Sequence, residues 1–210
     1  MIDQAGILMA QGLGIASERI QGVNDNMSQS HYHEYYEIYY LEAGERFHMV
    51  EDQLYKMEAG EFMIFPPYVM HHSYGEENIP FKRLLLYFKP EEILWPSVRD
   101  ALKEESGIYR TDIKKRQEIH RVMEDILKEQ KDPGAFHEEY DRGMLNVLLL
   151  LIAREKRPEK APGKSRDVYK RQNQYQTHML SCNESIGSTD KAGPDQEITD
   201  KFFCKCSRAI

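Results

Sequence analysis

His31, His33 and Glu37 occupy alternate positions of one short segment, and in an extended chain alternate side chains leave on the same side. Two imidazoles and a carboxylate on one face form a ligand set. A divalent ion such as zinc, iron, manganese, nickel or copper takes imidazole nitrogen together with carboxylate oxygen. Three or four such donors from adjacent strands make an open site. A donor from a second strand is available at His71 or His72. Neighbours on a strand face opposite ways, so only one of that pair is expected to point inward. The same groups have another use, since histidines on the inner face of a barrel also serve as hydrogen-bonded wall residues.

Tyr35, Tyr39 and Leu41 continue the face of Glu37, while Tyr36, Ile38 and Tyr40 occupy the other. Both faces are therefore at least partly buried, and such a strand belongs in a barrel. Aromatic walls with a few convergent polar groups are what small-molecule sites are made of. The ligand-binding candidates are thus His31, His33, Tyr35, Glu37, Tyr39 and His71.

The elements around this face follow from the punctuation of the chain. Between Tyr32 and Phe88, runs rich in Tyr, Phe, Ile and Val are broken at Glu42-Ala43-Gly44, Glu51-Asp52 and Glu58-Ala59-Gly60. That pattern predicts short strands over 35–41, 46–50, 54–57, 61–65, 71–74 and 81–88, joined by tight turns as in a small barrel or sandwich. After Pro90 the period changes. A short helix is expected over 97–105, with Pro96 near its start and Gly107 past its end. Ile119, Val122, Met123, Ile126 and Leu127 form one helical stripe, and Phe136, Tyr140, Met144, Leu148, Leu151 and Ile152 form a second. Asp132-Pro133-Gly134 separates them and predicts a helical hairpin. From 157 onward Pro, Gly, Ser, Lys and Asp dominate without an apolar stripe, which predicts disorder.

Composition narrows the function classes. The 210 residues carry a formal net charge of −7, with 40% hydrophobic residues, enough for one sizeable core. Residues 1–90 hold 6 basic and 13 acidic side chains, so the predicted barrel repels a phosphate backbone. The first sixteen residues include Asp3, lack Lys and Arg, and are broken by Gly6, Gly12 and Gly14, unlike a targeting signal. The apolar run 145–153 is far shorter than the roughly 20 residues needed to cross a bilayer, and reads as a buried helix. No membrane contact and a cytoplasmic setting are expected. Cys182, Cys204 and Cys206 all lie in the last thirty residues, where they staple nothing in the core.

The motif pair is more specific than composition. His31-x-His33, three residues, Glu37, six residues and Gly44 resemble the first cupin motif. Gly60, five residues, Pro66, four residues and His71 resemble the second. The resemblance spans about sixty residues and implies a cupin double-stranded β-helix, a jelly-roll barrel, with an α appendage. Carried over by position, it puts the metal ligands at His31, His33, Glu37 and His71. The chain departs from the pattern at turns: Asp25 sits where a Gly is expected before the first His, Tyr68 stands in place of Gly, and Gly75 in place of Asn.

A barrel from an HxH to Phe88, followed by a helical hairpin, is similar to the N-terminal half of AraC-type transcription regulators. Glu37 to Gly44 and Gly60 to Pro67 carry that similarity. The resemblance implies a cupin-like effector-binding barrel over 1–90, helices over 91–156 and a tail over 157–210. It implies a small sugar-like effector, no catalysis, and a homodimer through 112–155. Ile119, Val122, Met123, Ile126, Met144, Leu148 and Leu151 would supply the dimer contact, or else pack against the barrel. DNA would be read by a helix-turn-helix domain that is not expected in this chain. Residues 167–172 resemble adapter read-through, so the native frame is expected to end near Ser165. The rival is a metal-dependent cupin isomerase or dioxygenase, with Glu34 and Tyr35 as weak acid-base candidates.

Overall fold

A computed structural model of the chain describes residues 3–23, 26–27, 29–103 and 107–155. The chain opens with helix α1 (Gln4–Ala10), whose N-cap Asp3 accepts from the Gly6 amide, and continues into strand β1 (Ile15–Val23). The strands expected from sequence follow: β2 (Tyr36–Ala43), β3 (Glu45–Val50), β4 (Gln53–Glu58), β5 (Phe62–Phe65), β6 (His71–Tyr74) and β7 (Pro80–Phe88). A 3-10 turn and α2 (Pro96–Leu102) lead to a two-residue strand, β8 (Ile108–Tyr109). The hairpin is α3 (Ile113–Lys131) and α4 (His137–Ala153).

The strands pair into a five-stranded antiparallel sheet, β1-β7-β2-β5-β8, and a three-stranded one, β4-β3-β6. Side chains of both sheets meet between them: Tyr39, Phe65, Leu85 and Tyr87 of the larger sheet pack with Val50 and Met57 of the smaller. This is the jelly-roll arrangement of a double-stranded β-helix. Strand alternation fixes what the outside does. The even-numbered residues of β2, Tyr36, Ile38 and Tyr40, join Leu84, Leu86 and Phe88 in a second core that α2, α3 and α4 close.

Ile119, Val122, Met123, Ile126 and Leu148 are buried in that second core, and Met144 and Leu151 pack against it. Of the two uses expected for these side chains, the structure shows packing against the barrel. The outer face of the larger sheet is apolar and has to be covered, and the helical stripe covers it.

Two further elements, α1 and β1, carry no strong period in the sequence. β1 is an edge strand with Glu18, Arg19 and Gln21 near its middle, so alternation is blurred. Its free edge is occupied by a side chain: Gln130 accepts from the Ser17 amide at 2.7 Å and donates to the Ser17 carbonyl at 2.8 Å. Gly44 makes the β2–β3 turn at φ +83°, and a Cβ there would lie 2.4 Å from the Pro80 carbonyl oxygen, which explains the motif glycine. Tyr68, in place of the second motif's Gly, takes the left-handed conformation such a position demands, with φ +66°. The expected disordered tail and its cysteine pair lie outside the described residues.

Candidate metal and ligand centre

The four motif residues converge at one end of the space between the sheets. Ligand atoms of His31, His33, Glu37 and His71 all lie within 4.8 Å of one another. They do not arrive there by alternation along one strand, as the sequence suggests. β2 begins only at Tyr36, and His31 sits on the other sheet. There it exchanges both backbone hydrogen bonds with His71, each at 2.9 Å. Residues 32–35 then carry the chain across to the larger sheet, delivering His33 on the way. The order of residues gives the same meeting point, but a crossing between sheets makes it.

Backbone carbonyls orient two of the rings. Nδ1 of His33 donates to the Tyr35 carbonyl at 2.7 Å, and Nδ1 of His71 donates to the Val69 carbonyl at 2.8 Å. A carbonyl only accepts, so each neutral ring carries its proton on Nδ1 and turns an Nε2 lone pair inward. Both Nε2 atoms face the same Glu37 Oε2, at 3.1 Å from His33 and 3.2 Å from His71. Two lone pairs against a carboxylate oxygen repel unless positive charge sits among them. A proton on the rings is one source. In that state burial works against the Glu37 charge, but hydrogen bonds from His33 and His71 outweigh it and hold the carboxyl well below the usual range.

A metal ion is the other source, and the residues fit it. Bonds of about 2.1 Å place neighbouring donors about 3 to 4 Å apart, so the four atoms need only small inward shifts. The Nδ1-to-carbonyl bonds are the outer-shell contacts that metal-ligating histidines use. His31 is kept neutral, pushed down to about 3 by burial and by the neighbouring His71 and His33 charges, against the opposing effect of Glu37. His71 faces in and is buried, whereas His72 is turned outward and bonded through Nδ1 to the Ser30 hydroxyl at 2.9 Å.

The tyrosines named from sequence divide. Tyr35 stacks on the His33 ring at 4.2 Å and lies 5.0 Å from the Tyr87 ring. Burial raises its hydroxyl pKa, as does the nearby Glu37, so it is a neutral hydrogen-bonding group. Tyr39 is deeper and fully buried, edge-on to His48 at 4.4 Å. Tyr32 and Glu34 are exposed. Sequence reasoning missed the rest of the polar wall: Arg46, His48, Tyr87, Arg83 and Asp3. Arg46 and His48 sit at alternate positions of the predicted strand 46–50, which was the available signal. Asp3 accepts from the Tyr87 hydroxyl at 2.9 Å, so α1 reaches the centre from the chain's start.

A second group, Glu42, His120 and Glu124, has donor atoms equally close. Arg19 bonds to both carboxylates, at 2.8 Å to Glu42 and 2.5 Å to Glu124, and Lys82 approaches Glu42 at 3.4 Å. Side-chain cations already fill the role of a metal there, so this is an ion-pair network joining β1, β2 and β7 to α3.

Among described residues no helix is long and apolar enough to cross a membrane. No curated protein matches the chain. Solved structures with similar folds include a cupin protein from Bacteroides fragilis, at 17% identity and TM-score 0.36, covering 42% of this chain and 76% of that one. A cupin-family protein with a double-stranded β-helix fold from Methanocaldococcus jannaschii follows at 17% identity and TM-score 0.33, covering 36% and 70%. An oxalate decarboxylase variant from Bacillus subtilis aligns at 18% identity and TM-score 0.33, covering 39% and 23%. The AraC-like ligand binding domain family matches across residues 16–149, taking in both sheets and most of the hairpin. The chain is a member of the AraC-like ligand-binding domain family.

Proposed function

We propose that the barrel senses a small, oxygen-rich, sugar-like metabolite for a cytoplasmic transcription regulator, holding it against a divalent metal ion at His31, His33, Glu37 and His71. The observation that carries this reading is the aim of two Nε2 atoms at one Glu37 oxygen. Bound there, the ion supplies positive charge that fixes ligand oxygens. The chain's own groups do the rest: the neighbouring rings of Tyr35 and Tyr87 wall one side, and Asp3 ties α1 to that wall.

In this reading two copies pair through the outer face of 112–155. Tyr140 and Val147, exposed seven residues apart on α4, and Phe136, exposed at its N-cap, support it. DNA is read by a separate domain. The test is a thermal-shift screen of sugars and small metabolites on the chain with and without metal, since a ligand that binds only the folded state raises the melting temperature. A screen with no hit either with or without metal would sink the reading.

The complete donor set favours one rival, a metal-dependent enzyme. The two are told apart by recovering the bound metabolite: a sensor returns it unchanged and an enzyme returns product.

A further inference from the structure

His48 lies on β3, fully buried, and neither of its ring nitrogens has a hydrogen-bond partner among the described residues. Its ring neighbours, Tyr39 at 4.4 Å and Phe65 at 5.6 Å, both face the barrel interior. The β3–β6 register pairs His48 with Ser73 and Val50 with His71, so His48 stands diagonally across from His71 on the same inner face. Such neighbours are about 7–8 Å apart. The Ser73 hydroxyl opposite accepts from the Arg46 Nε at 3.3 Å and is not a partner of the imidazole. Burial and the nearby positive charge of Arg46, with smaller contributions from His71 and Arg83, outweigh Glu37 and keep the ring neutral.

A buried imidazole with nothing to bond is costly, and it is explained when an incoming group satisfies it. The neutral ring offers one N–H donor and one lone pair, on nitrogens that point apart. A hydroxyl answers either one and a pair of hydroxyls answers both, a carboxylate answers only the donor, and a methylene answers neither. At the metal centre, three neutral imidazoles and one carboxylate leave a divalent ion with one uncompensated positive charge, which favours an anionic oxygen.

Resting on the sensing reading above, we propose that His48 is a specificity-determining residue that reads a hydroxyl of the effector. The effector is then a polyhydroxylated carboxylate with its carboxylate at the His31–His33–Glu37–His71 centre.

The probes are D-gluconate, sorbitol (hydroxyls without carboxylate) and hexanoate (carboxylate without hydroxyls), titrated calorimetrically into the full chain with Mn2+. Loading of the ion is followed separately by its electron paramagnetic resonance signal. Gluconate is expected to bind at least about tenfold more tightly than either control, the size of one well-made hydrogen bond. His48→Phe, or His48→Leu should that variant not fold, removes this advantage, leaves hexanoate unchanged and raises the melting temperature of the ligand-free chain. His48→Gln, which keeps a donor and an acceptor, restores part of it. The assignment is overturned if gluconate has no advantage, if the advantage survives His48→Phe and His48→Leu, or if both variants lower the ligand-free melting temperature. A His48-dependent advantage without any manganese uptake keeps His48 and removes the metal from the proposed function. Manganese uptake with His48 silent does the reverse.

Discussion

His31 and His71 exchange both backbone hydrogen bonds at 2.9 Å although neither neighbour of His31 belongs to a strand. A single bridge thus fixes one candidate ligand residue in register with a second 40 positions on, and their rings lie 4.5 Å apart. The centre is consequently built on main-chain geometry, and changes to its side chains should alter binding before they alter the fold.

Glu37→Gln tests this directly. It removes the one anionic donor and should lower divalent-ion affinity by about a hundredfold or more, since even outer-shell changes cost 10–100-fold. Circular dichroism of the variant should keep its β signature while calorimetric Mn2+ binding disappears. Unchanged affinity would show that Glu37 is not a ligand.

Gly44→Ala addresses the turn that sets the β2–β3 register. At φ +83°, with a Cβ placed 2.4 Å from the Pro80 carbonyl oxygen, the variant pays for a left-handed backbone and a clash. The expected loss is about 3 kcal/mol or more in urea unfolding.

Asn146 is a buried residue of α4 that accepts from the Leu94 amide at 2.8 Å and donates to the Glu92 and Arg142 carbonyls at 2.8 Å each. It ties the hairpin to the connection leaving β7. Asn146→Ala strands these groups and should cost about 2–4 kcal/mol in chemical denaturation, with the metal centre unaffected.

The fold was largely legible because alternation in 35–41 and 81–88 is backed by two different cores. Tyr36, Ile38 and Tyr40 are as apolar as Tyr39 and Leu41, which is why the sequence could predict burial on both sides without saying what lay on each. β1 was not legible, since Arg19 and Glu18 serve an ion-pair network and an amide contact with α1 rather than a core. At the centre, residue types and spacing picked out the four side chains that converge. The path between sheets was hidden, because two ends of an irregular segment leave no periodic trace. His48 was partly hidden: its alternation with Arg46 puts both on one face of the strand 46–50, but only its lack of partners in the structure marks it out.

Asp141 gives a pH prediction. Burial, helped by Glu129 and opposed by His137, raises its carboxyl from 3.8 to about 6, and its Oδ1 has no hydrogen-bond partner among described residues. The folded chain therefore holds this proton more tightly than the unfolded chain. The stability that protonation supplies is complete below pH 3.8, is lost as pH rises to about 6, and stays lost above. Discounted for partial exposure, it is worth about 1 kcal/mol. Asp141→Asn should raise stability by that amount at pH 7 and change little at pH 4, measured by urea unfolding at both.

β2 and β7 are partitions with a different occupant on each side. Glu37 and Tyr39 look into the barrel, while Tyr36, Ile38 and Tyr40, one residue away along the same backbone, are wedged against α3 and α4. A strand packed this tightly on both sides has no slack. Whatever pushes its inner side by a fraction of an ångström must be absorbed by the helices behind it, so the hairpin is mechanically downstream of the barrel's contents without any hinge between them.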